Sequence, residues 1–206
     1  MGELYSGLSW VSKARKGLDM DVLEAIKGRR TIRKFKKDPI AQEQLDEIFE
    51  AAMWAPSHGN TQPWEFVVVG PKARARLLAM VQTKVDELLA APDVPEPKRK
   101  GLLSLRDDFG GAPYMVAVVS RPGVEPLEIV ENPECTSAAV QNMCLAAWAR
   151  GIGAIWLSVG AAPPSRGILQ IQEGAQVIAL LALGYPDFVP PPPARESYKT
   201  HIRSVE

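Results

Sequence analysis

Hydrophobic and polar positions along the chain follow two spacings, and each spacing predicts one kind of element. Apolar or small residues at helical spacing predict α-helices over four stretches: 19–28, 41–54, 72–90 and 134–150. β-branched or continuously apolar runs predict strands, the third of them a strand or extended loop: 64–70, 113–120, 154–158 and 176–184. A pair of prolines opens one further short helix, 163–169. Helices interspersed with four strands predict a layered α+β or α/β domain.

Proline-rich segments interrupt this pattern in two places. Residues 91–100 contain three prolines, which predicts an irregular excursion that serves as a lid or a partner-facing flap. Four consecutive prolines, 190–193, favour extended polyproline geometry, so the basic tail after them is predicted to project away from its own subunit. We find no internal repeat or domain boundary, and we assign 1–18 as an N-terminal extension and 19–206 as a single domain.

The composition narrows the classes of partner. Of the 206 residues, 46% are hydrophobic and 23% are charged, which is typical of a folded globular protein. Lys+Arg and Asp+Glu both number 24, so no overall field favours nucleic acid or a membrane surface, and neither is expected as a partner. The two cysteines and two histidines lack the spacing of a disulfide framework or a metal site. With no cleavable signal layout and no apolar run long enough to span a bilayer, we expect a cytoplasmic protein.

Three arginines and a hydroxyl lie within five residues directly after the first predicted helix. Asp19 is the expected N-cap of that helix, and Arg29, Arg30, Thr31 and Arg33 follow its C-terminal end. Arginine presents a rigid fork of donors that matches phosphate or carboxylate, and threonine adds a hydroxyl. From this stretch alone two interpretations stay open, an anion-binding site and a solvated basic turn.

A polar loop bracketed by prolines precedes the first predicted strand. Asn60 and Gln62 each present an amide donor and a carbonyl acceptor, and His58 donates or accepts according to its tautomer. Such groups suit the edge of a heteroaromatic ring or a polyol, although turn chemistry alone explains them equally well. The glycines at 151 and 153 lack the third glycine of a dinucleotide fingerprint, and no nucleophile lies beside a base in the sequence. We therefore expect a cofactor to carry any chemistry.

Several blocks of the sequence resemble the flavin-dependent nitroreductase family. The blocks are Arg29-Arg30-Thr31-x-Arg33-x-Phe35, Ala51-Ala-x-x-Ala-Pro-Ser-x-x-Asn60-x-Gln-Pro-Trp-x-Phe66, Gly151-Ile-Gly-Ala-Ile-Trp-Leu-Ser158 and Leu183-Gly184-Tyr-Pro186. They stand in the family's order from about Asp19 to Arg203. His58, together with the block that contains Trp156, is most similar to the compact, minimal members of the family.

The resemblance implies an FMN-dependent oxidoreductase that forms a homodimer. The implied fold is the α+β form of the family, a three-layer α/β/α sandwich around a mixed or antiparallel sheet, with C-terminal arms swapped between subunits and FMN at their interface. NAD(P)H would reduce the flavin, and an electron-poor small molecule (a nitroaromatic, quinone or enone) would then oxidise it in a ping-pong cycle. No protein residue is expected to be catalytic, because FMN carries the chemistry.

The same resemblance implies a set of cofactor-binding residues. The arginine stretch would hold the FMN phosphate, ribityl chain and pyrimidine edge, while the polar loop and the third predicted strand would line the flavin. The basic tail would reach the phosphate. In chain order these residues are Arg29, Arg30, Thr31, Arg33, His58, Asn60, Gln62, Trp156, Leu157, Ser158, Lys199 and Arg203.

Two alternatives stay open beside this interpretation. A relative with the same pocket and another chemistry would differ in the lid region, 91–112; it would be a dehalogenase, a flavin-fragmenting enzyme or a flavin carrier without NAD(P)H-driven activity. A protein of another class would be a non-flavin α/β module whose arginines bind an acidic partner or nucleic acid. The second predicted helix also departs from the family pattern, because Ala41 stands where many members place a Ser or Thr N-cap, at a cost of about 1 kcal/mol.

Overall fold

The structure is a computed structural model that describes residues 20–205. The predicted N-terminal extension, 1–18, and the predicted N-cap Asp19 lie outside the described residues. The elements in chain order are α1 (Val22–Gly28), α2 (Gln42–Met53), β1 (Trp64–Val68), α3 (Pro71–Leu89), α4 (Glu96–Asp108), β2 (Tyr114–Ser120), α5 (Pro126–Ala149), β3 (Gly153–Leu157), α6 (Pro163–Leu169) and β4 (Gln176–Gly184).

The N-cap of the first helix lies two residues later than the sequence predicts. The carboxylate of Asp21 accepts a hydrogen bond from the N–H of Leu23 at 2.8 Å, and the carboxylate of Glu24 accepts from the N–H of Asp21 at 3.3 Å. Two otherwise unpaired donors of the first turn are thereby satisfied, so Asp21 takes the capping role predicted for Asp19. In α2, as expected, Ala41 provides no side-chain cap.

The prediction that 91–100 is irregular is wrong for the second half of this segment, because α4 begins at Glu96. Pro97 stands in the first turn of α4, a position at which the missing N–H breaks no intrahelical hydrogen bond. The lid region 91–112 is therefore mostly helix, followed by a 3₁₀ turn at Phe109–Gly111.

The long helix α5 also extends beyond its prediction, because it begins at Pro126 and runs through Pro133. The side chains of Glu125 and Glu128 form a capping box at its start. The sequence predicts a helix only from residue 134, directly after Pro133, whereas Pro133 lies in the interior of α5.

The four strands form one sheet in the order β1-β2-β4-β3, and all the pairings between them are antiparallel. Along the central pair, Val118 lies opposite Ala179 and Val119 lies opposite Val177. Ile178 is therefore an extra residue in β4, a β-bulge. At the outer edge of β3 the chain segment after α1 adds a parallel bridge.

Helices cover both faces of the sheet. On one face α3 packs its buried apolar residues against Ala117 and Val119 of β2. On the other face α2 and α5 pack against Val116 and Val118. Because successive strand residues point to opposite faces, this alternation produces the three-layer α/β/α sandwich that the resemblance implies. Within residues 20–205 no helix combines the length and the apolar character needed to cross a membrane.

The predicted apolar face of α1 exists, but it points outward. Val22, Leu23 and Ile26 are 62%, 57% and 50% exposed, whereas Ala25 is the buried residue of this helix. Three large apolar side chains on one exposed helical face form a surface suited to another protein chain.

Candidate functional site

The arginine stretch lies along the outer edge of β3. Thr31 forms a parallel bridge with Ala154, and the N–H of Ile32 donates to the carbonyl of Ala154 at 3.0 Å. Ile32 is fully buried, and Gly153 makes room for it, since a Cβ added there would lie 2.3 Å from the Ile32 Cγ1 atom. Burial of Ile32 fixes the backbone, so that the basic side chains on either side of it remain outside the core.

Arg30 closes the C-terminal end of α1. Its Nη1 donates to the carbonyl oxygens of Lys27, Gly28 and Arg29 at 2.7, 3.0 and 2.9 Å. These carbonyls lack intrahelical partners, and a cation is favourable at this negative end of a helix. One nitrogen of the predicted anion ligand Arg30 is thus committed to the backbone.

Arg29 carries an orphaned donor. Its Nε atom is buried and has no hydrogen-bond partner within residues 20–205. The side chain lies near Cys144 of α5, where burial raises the pKa of the thiol to about 11 and the Arg29 charge acts in the opposite direction. A buried cationic donor without a partner is costly, and an anion bound beside it would remove that cost.

A cleft of about 490 Å³ opens beside the stretch. It is lined by Thr31 and Arg33 of the stretch, by residues of α4 and by the start of the tail. The hydroxyl of Ser104 in α4 donates to the carbonyl of Arg33 at 3.0 Å. Three cations and no carboxylate stand among the described lining residues, which are Thr31, Arg33, Lys34, Pro97, Lys100, Gly101, Ser104, Phe188 and Pro190. The cleft is therefore suited to an anion.

The polar loop lies elsewhere on the chain, against the first half of α5. The Nδ1 atom of His58 is 3.3 Å from a carboxylate oxygen of Glu131, and the Nε2 of Gln62 donates to the Oδ1 of Asn60 at 3.3 Å. Asn60 and Gln62 both have positive φ, 57° and 48°. Asparagine tolerates this conformation, but glutamine rarely adopts it, so the loop is locally strained.

The predicted residues at the end of β3 face in different directions. Trp156 is 47% exposed, and its Nε1 donates at 2.9 Å to the carbonyl of Ile178, the bulged residue of β4. Leu157 is buried, and with Ser158 it lines an apolar cavity of about 570 Å³ beneath α3.

The tail residues Lys199 and Arg203 are exposed and do not reach the cleft of their own chain. Lys199 belongs to a 3₁₀ turn whose N-cap, Ser197, accepts from the N–H of Lys199 at 3.3 Å. No ion pair of Lys199 or Arg203 occurs within the described part of the chain, 20–205.

Comparison with known proteins identifies the family. The model of the Nitroreductase family matches residues 26–185. The chain belongs to the nitroreductase family. An NADH dehydrogenase of Thermus thermophilus is 34% identical over 214 residues, which cover 91% of this chain and 94% of the relative. A 5,6-dimethylbenzimidazole synthase of Rhodospirillum rubrum is 31% identical over 175 residues, which cover 81% of this chain and 82% of the relative.

A crystal structure from the same family resembles the fold. A nitroreductase with bound FMN from Desulfitobacterium hafniense has a TM-score of 0.67 and 25% identity, covering 91% of this chain and 100% of that one.

One chain of this nitroreductase family member does not bring all the predicted residues together. The polar loop packs near Glu131 and Glu134 of α5, whereas Arg29 lies near Cys144. Glu134 and Cys144 are ten residues apart in the helix, and at a rise of 1.5 Å per residue that is about 15 Å. Arg29, Thr31 and Arg33 are grouped at the β3 edge, and His58, Asn60 and Gln62 form a separate group.

Sequence reasoning missed Lys34, Lys100 and Ser104, which line the basic cleft. Lys34 lies directly after Arg33, so its position beside the stretch was available from the sequence. Lys100 and Ser104 belong to α4, and they reach the cleft only through the packing of α4 against the β3 edge. The proline content of that region concealed the helix that carries them.

Proposed function

We propose that the protein is an FMN-dependent oxidoreductase that uses NAD(P)H to reduce electron-poor acceptors, such as nitroaromatics, quinones or enones, in a ping-pong cycle. Membership of the nitroreductase family supports this, as do the Thermus thermophilus relative named NADH dehydrogenase and the Desulfitobacterium hafniense nitroreductase with bound FMN. Within the chain itself, the observation that carries the proposal is the buried Nε of Arg29, which has no partner among residues 20–205.

The donor set at the β3 edge fits the phosphate ester of FMN. Arg29 and Arg33 offer guanidinium donors and Thr31 a hydroxyl, and each charged hydrogen bond contributes about 1.5–3 kcal/mol. Arg30 supports the site by closing the end of α1, which holds the stretch in place. When bound, FMN supplies the hydride-transfer chemistry that the side chains of the protein lack. The protein binds and orients it.

The other predicted residues complete the proposed site in three groups. Donors and acceptors of the polar loop face the flavin ring and ribityl chain, the end of β3 lies along the ring, and cations of the tail approach the phosphate. These residues are His58, Asn60, Gln62, Trp156, Leu157, Ser158, Lys199 and Arg203.

In the proposal, a homodimer brings the polar loop of one chain next to the arginine stretch of the other. The polar loop and the arginine stretch lie at separate places along α5, so the loop of a second copy is needed beside the stretch of the first. The exposed apolar face of α1, Val22, Leu23 and Ile26, provides surface for that contact. The tail beyond residue 190 is exposed along its length, as expected for an arm that extends over a partner.

The absorption spectrum of the purified protein tests the cofactor. We expect the two visible bands of a flavin and the mass of FMN in the supernatant after denaturation. Anaerobic mixing with NADPH or NADH should then bleach the longer-wavelength band, and a nitroaromatic or quinone should restore it. A colourless protein that takes up no added FMN would contradict the proposal, and so would a yellow protein that neither nucleotide bleaches.

A second candidate is favoured by the Rhodospirillum rubrum relative, which is named a 5,6-dimethylbenzimidazole synthase. FMN contains the dimethylbenzene ring of that product, so the flavin itself would be the substrate, as in the flavin-fragmenting alternative. Incubating the protein with chemically reduced FMN and oxygen and searching for 5,6-dimethylbenzimidazole by mass spectrometry separates the two. Recovery of intact FMN alone excludes this second candidate.

A further inference from the structure

The basic cleft contains cations that the proposed FMN site does not use. A phosphate monoester carries about −1.5 to −2 charges at neutral pH. In the proposed function the FMN phosphate is held by Arg29, which does not itself line the cleft, and by Arg33, which does. Lys34 and Lys100 also line the cleft, and neither is needed there for that purpose.

The two lysines are held only by exposed ion pairs. The Nζ of Lys34 is 2.7 Å from a carboxylate oxygen of Asp187, and the Nζ of Lys100 is 3.6 Å from one of Glu96. All four side chains are more than 40% exposed, and pairs of this kind contribute little free energy. An anion with two charges can therefore replace these partners at small cost.

Helix α4 fixes Lys100 beside Arg33. The residues of α4 that line the cleft, Pro97, Lys100, Gly101 and Ser104, follow helical spacing and share one face. A Cβ added at Gly101 would lie 3.4 Å from the Cδ of Arg33, so the helix and the arginine are in close contact. Arg99, one residue before Lys100, does not line the cleft.

Three of the residues that line the cleft also offer flat apolar surface. Phe188 is 63% exposed and lines the cleft together with Pro190 and Pro97. An exposed aromatic ring and proline faces suit the stacking of a planar base. A phosphate-binding pair of lysines next to a stacking surface is the chemistry of a phosphorylated nucleoside.

We propose that the part of this cleft lined by Lys34 and Lys100 binds the adenosine 2′-phosphate of NADPH, with these two lysines as the phosphate ligands, so that the enzyme selects NADPH over NADH. The inference rests on the proposed function, in which FMN occupies Arg29 and Arg33 and leaves Lys34 and Lys100 available. NADH lacks the 2′-phosphate and gains nothing from the two lysines.

Calorimetric titration of the FMN-saturated protein tests the binding without turnover. The probes are adenosine 2′,5′-bisphosphate, 5′-AMP, which lacks the 2′-phosphate, and inorganic phosphate. We expect the bisphosphate to bind at least about 10-fold more tightly than 5′-AMP, because only the bisphosphate has a 2′-phosphate that accepts charged hydrogen bonds from the two lysines. Lys34→Ala combined with Lys100→Ala should abolish that preference, and the matched control Arg99→Ala should retain it.

Three outcomes would overturn the inference. They are equal binding of the two nucleotides to the wild-type protein, a preference that survives in the double variant, and binding of inorganic phosphate as tight as that of the bisphosphate.

Steady-state kinetics provides a second measurement. The ratio of kcat/KM for NADPH to that for NADH should fall about 10-fold in the double variant and stay constant in Arg99→Ala. If both nucleotides bleach the flavin equally well in every variant, the inference fails while the proposed oxidoreductase stands. If neither nucleotide bleaches it, the proposed function itself fails.

Discussion

Arg29 is the residue on which FMN binding is expected to depend most strongly. Replacing Arg29 with Ala should weaken FMN binding by about 10-fold or more, because a charged hydrogen bond contributes about 1.5–3 kcal/mol. Loss of flavin fluorescence on titration measures this. The urea midpoint should not fall, since the variant also removes a buried donor that has no partner within residues 20–205. Unchanged affinity in Arg29→Ala, with Arg99→Ala as control, would refute the phosphate assignment.

The buried thiol of Cys144 is expected to be inert. Burial raises its pKa to about 11, so at pH 8 about one thiol in a thousand is ionised, and only the thiolate reacts. In a Cys135→Ala variant, which leaves Cys144 alone, labelling with a disulfide reagent should be at least about 100-fold slower in the native protein than in denaturant. Fast native labelling would show that this helix opens readily.

Individual residues show which parts of the site a sequence reveals. Arg29, Arg30, Thr31 and Arg33 were predictable because they are adjacent in the chain and chemically alike. The contact between Ser104 and Arg33 joins residues 71 positions apart, and only the folded chain brings them together. The capping role of the Arg30 Nη1 atom was likewise hidden, because it depends on the direction of one side chain.

At the scale of elements, the close approach of the arginine stretch to β3 depends on Gly153. Gly153→Ala would place a Cβ 2.3 Å from Ile32, so we expect a loss of about 1–3 kcal/mol of stability by overpacking. FMN affinity should fall as well, since the stretch must move. Gly167→Ala in α6 is the matched control, because an added Cβ meets nothing within 4 Å there. Thermal unfolding should show it neutral or slightly stabilised; equal effects of both substitutions would argue against the packing role.

The strands were predictable, whereas α4 and the first turns of α5 were not, for one physical reason. A strand buried on both faces is a short run of apolar residues, and 176–184 is such a run; its prediction is confirmed residue for residue. Proline, in contrast, is compatible with two structures, because it occurs in the first turn of helices as well as after their ends. Pro97 and Pro126 stand in first turns of helices, and local sequence does not distinguish that role from a loop.

For the whole molecule, the outward-facing apolar residues of α1 predict the oligomeric state. The double substitution Leu23→Glu and Ile26→Glu should shift sedimentation from dimer to monomer and lower FMN affinity, since the proposed site needs two chains. Val68→Glu, at a comparably exposed position on β1, is the control. A wild-type protein that sediments as a monomer with FMN bound would refute the shared site. The composition of one chain does not reveal its oligomeric state. The expectation of a homodimer came from the family resemblance alone.

The bulge in β4 affects which single-residue deletions in this strand the protein tolerates. Because Ile178 has no counterpart in β2, deleting its codon would restore one-to-one pairing between Val118, Val119 and their partners. Deletion of a codon between 180 and 184 would instead move the residues between the deletion and the bulge by one place and turn their side chains to the wrong face. A scan of single-codon deletions should therefore tolerate loss of Ile178, or of Ala179, whose place opposite Val118 the side chain of Ile178 would take, better than loss of any residue in 180–184. The variant without Ile178 would lack the carbonyl that now orients Trp156.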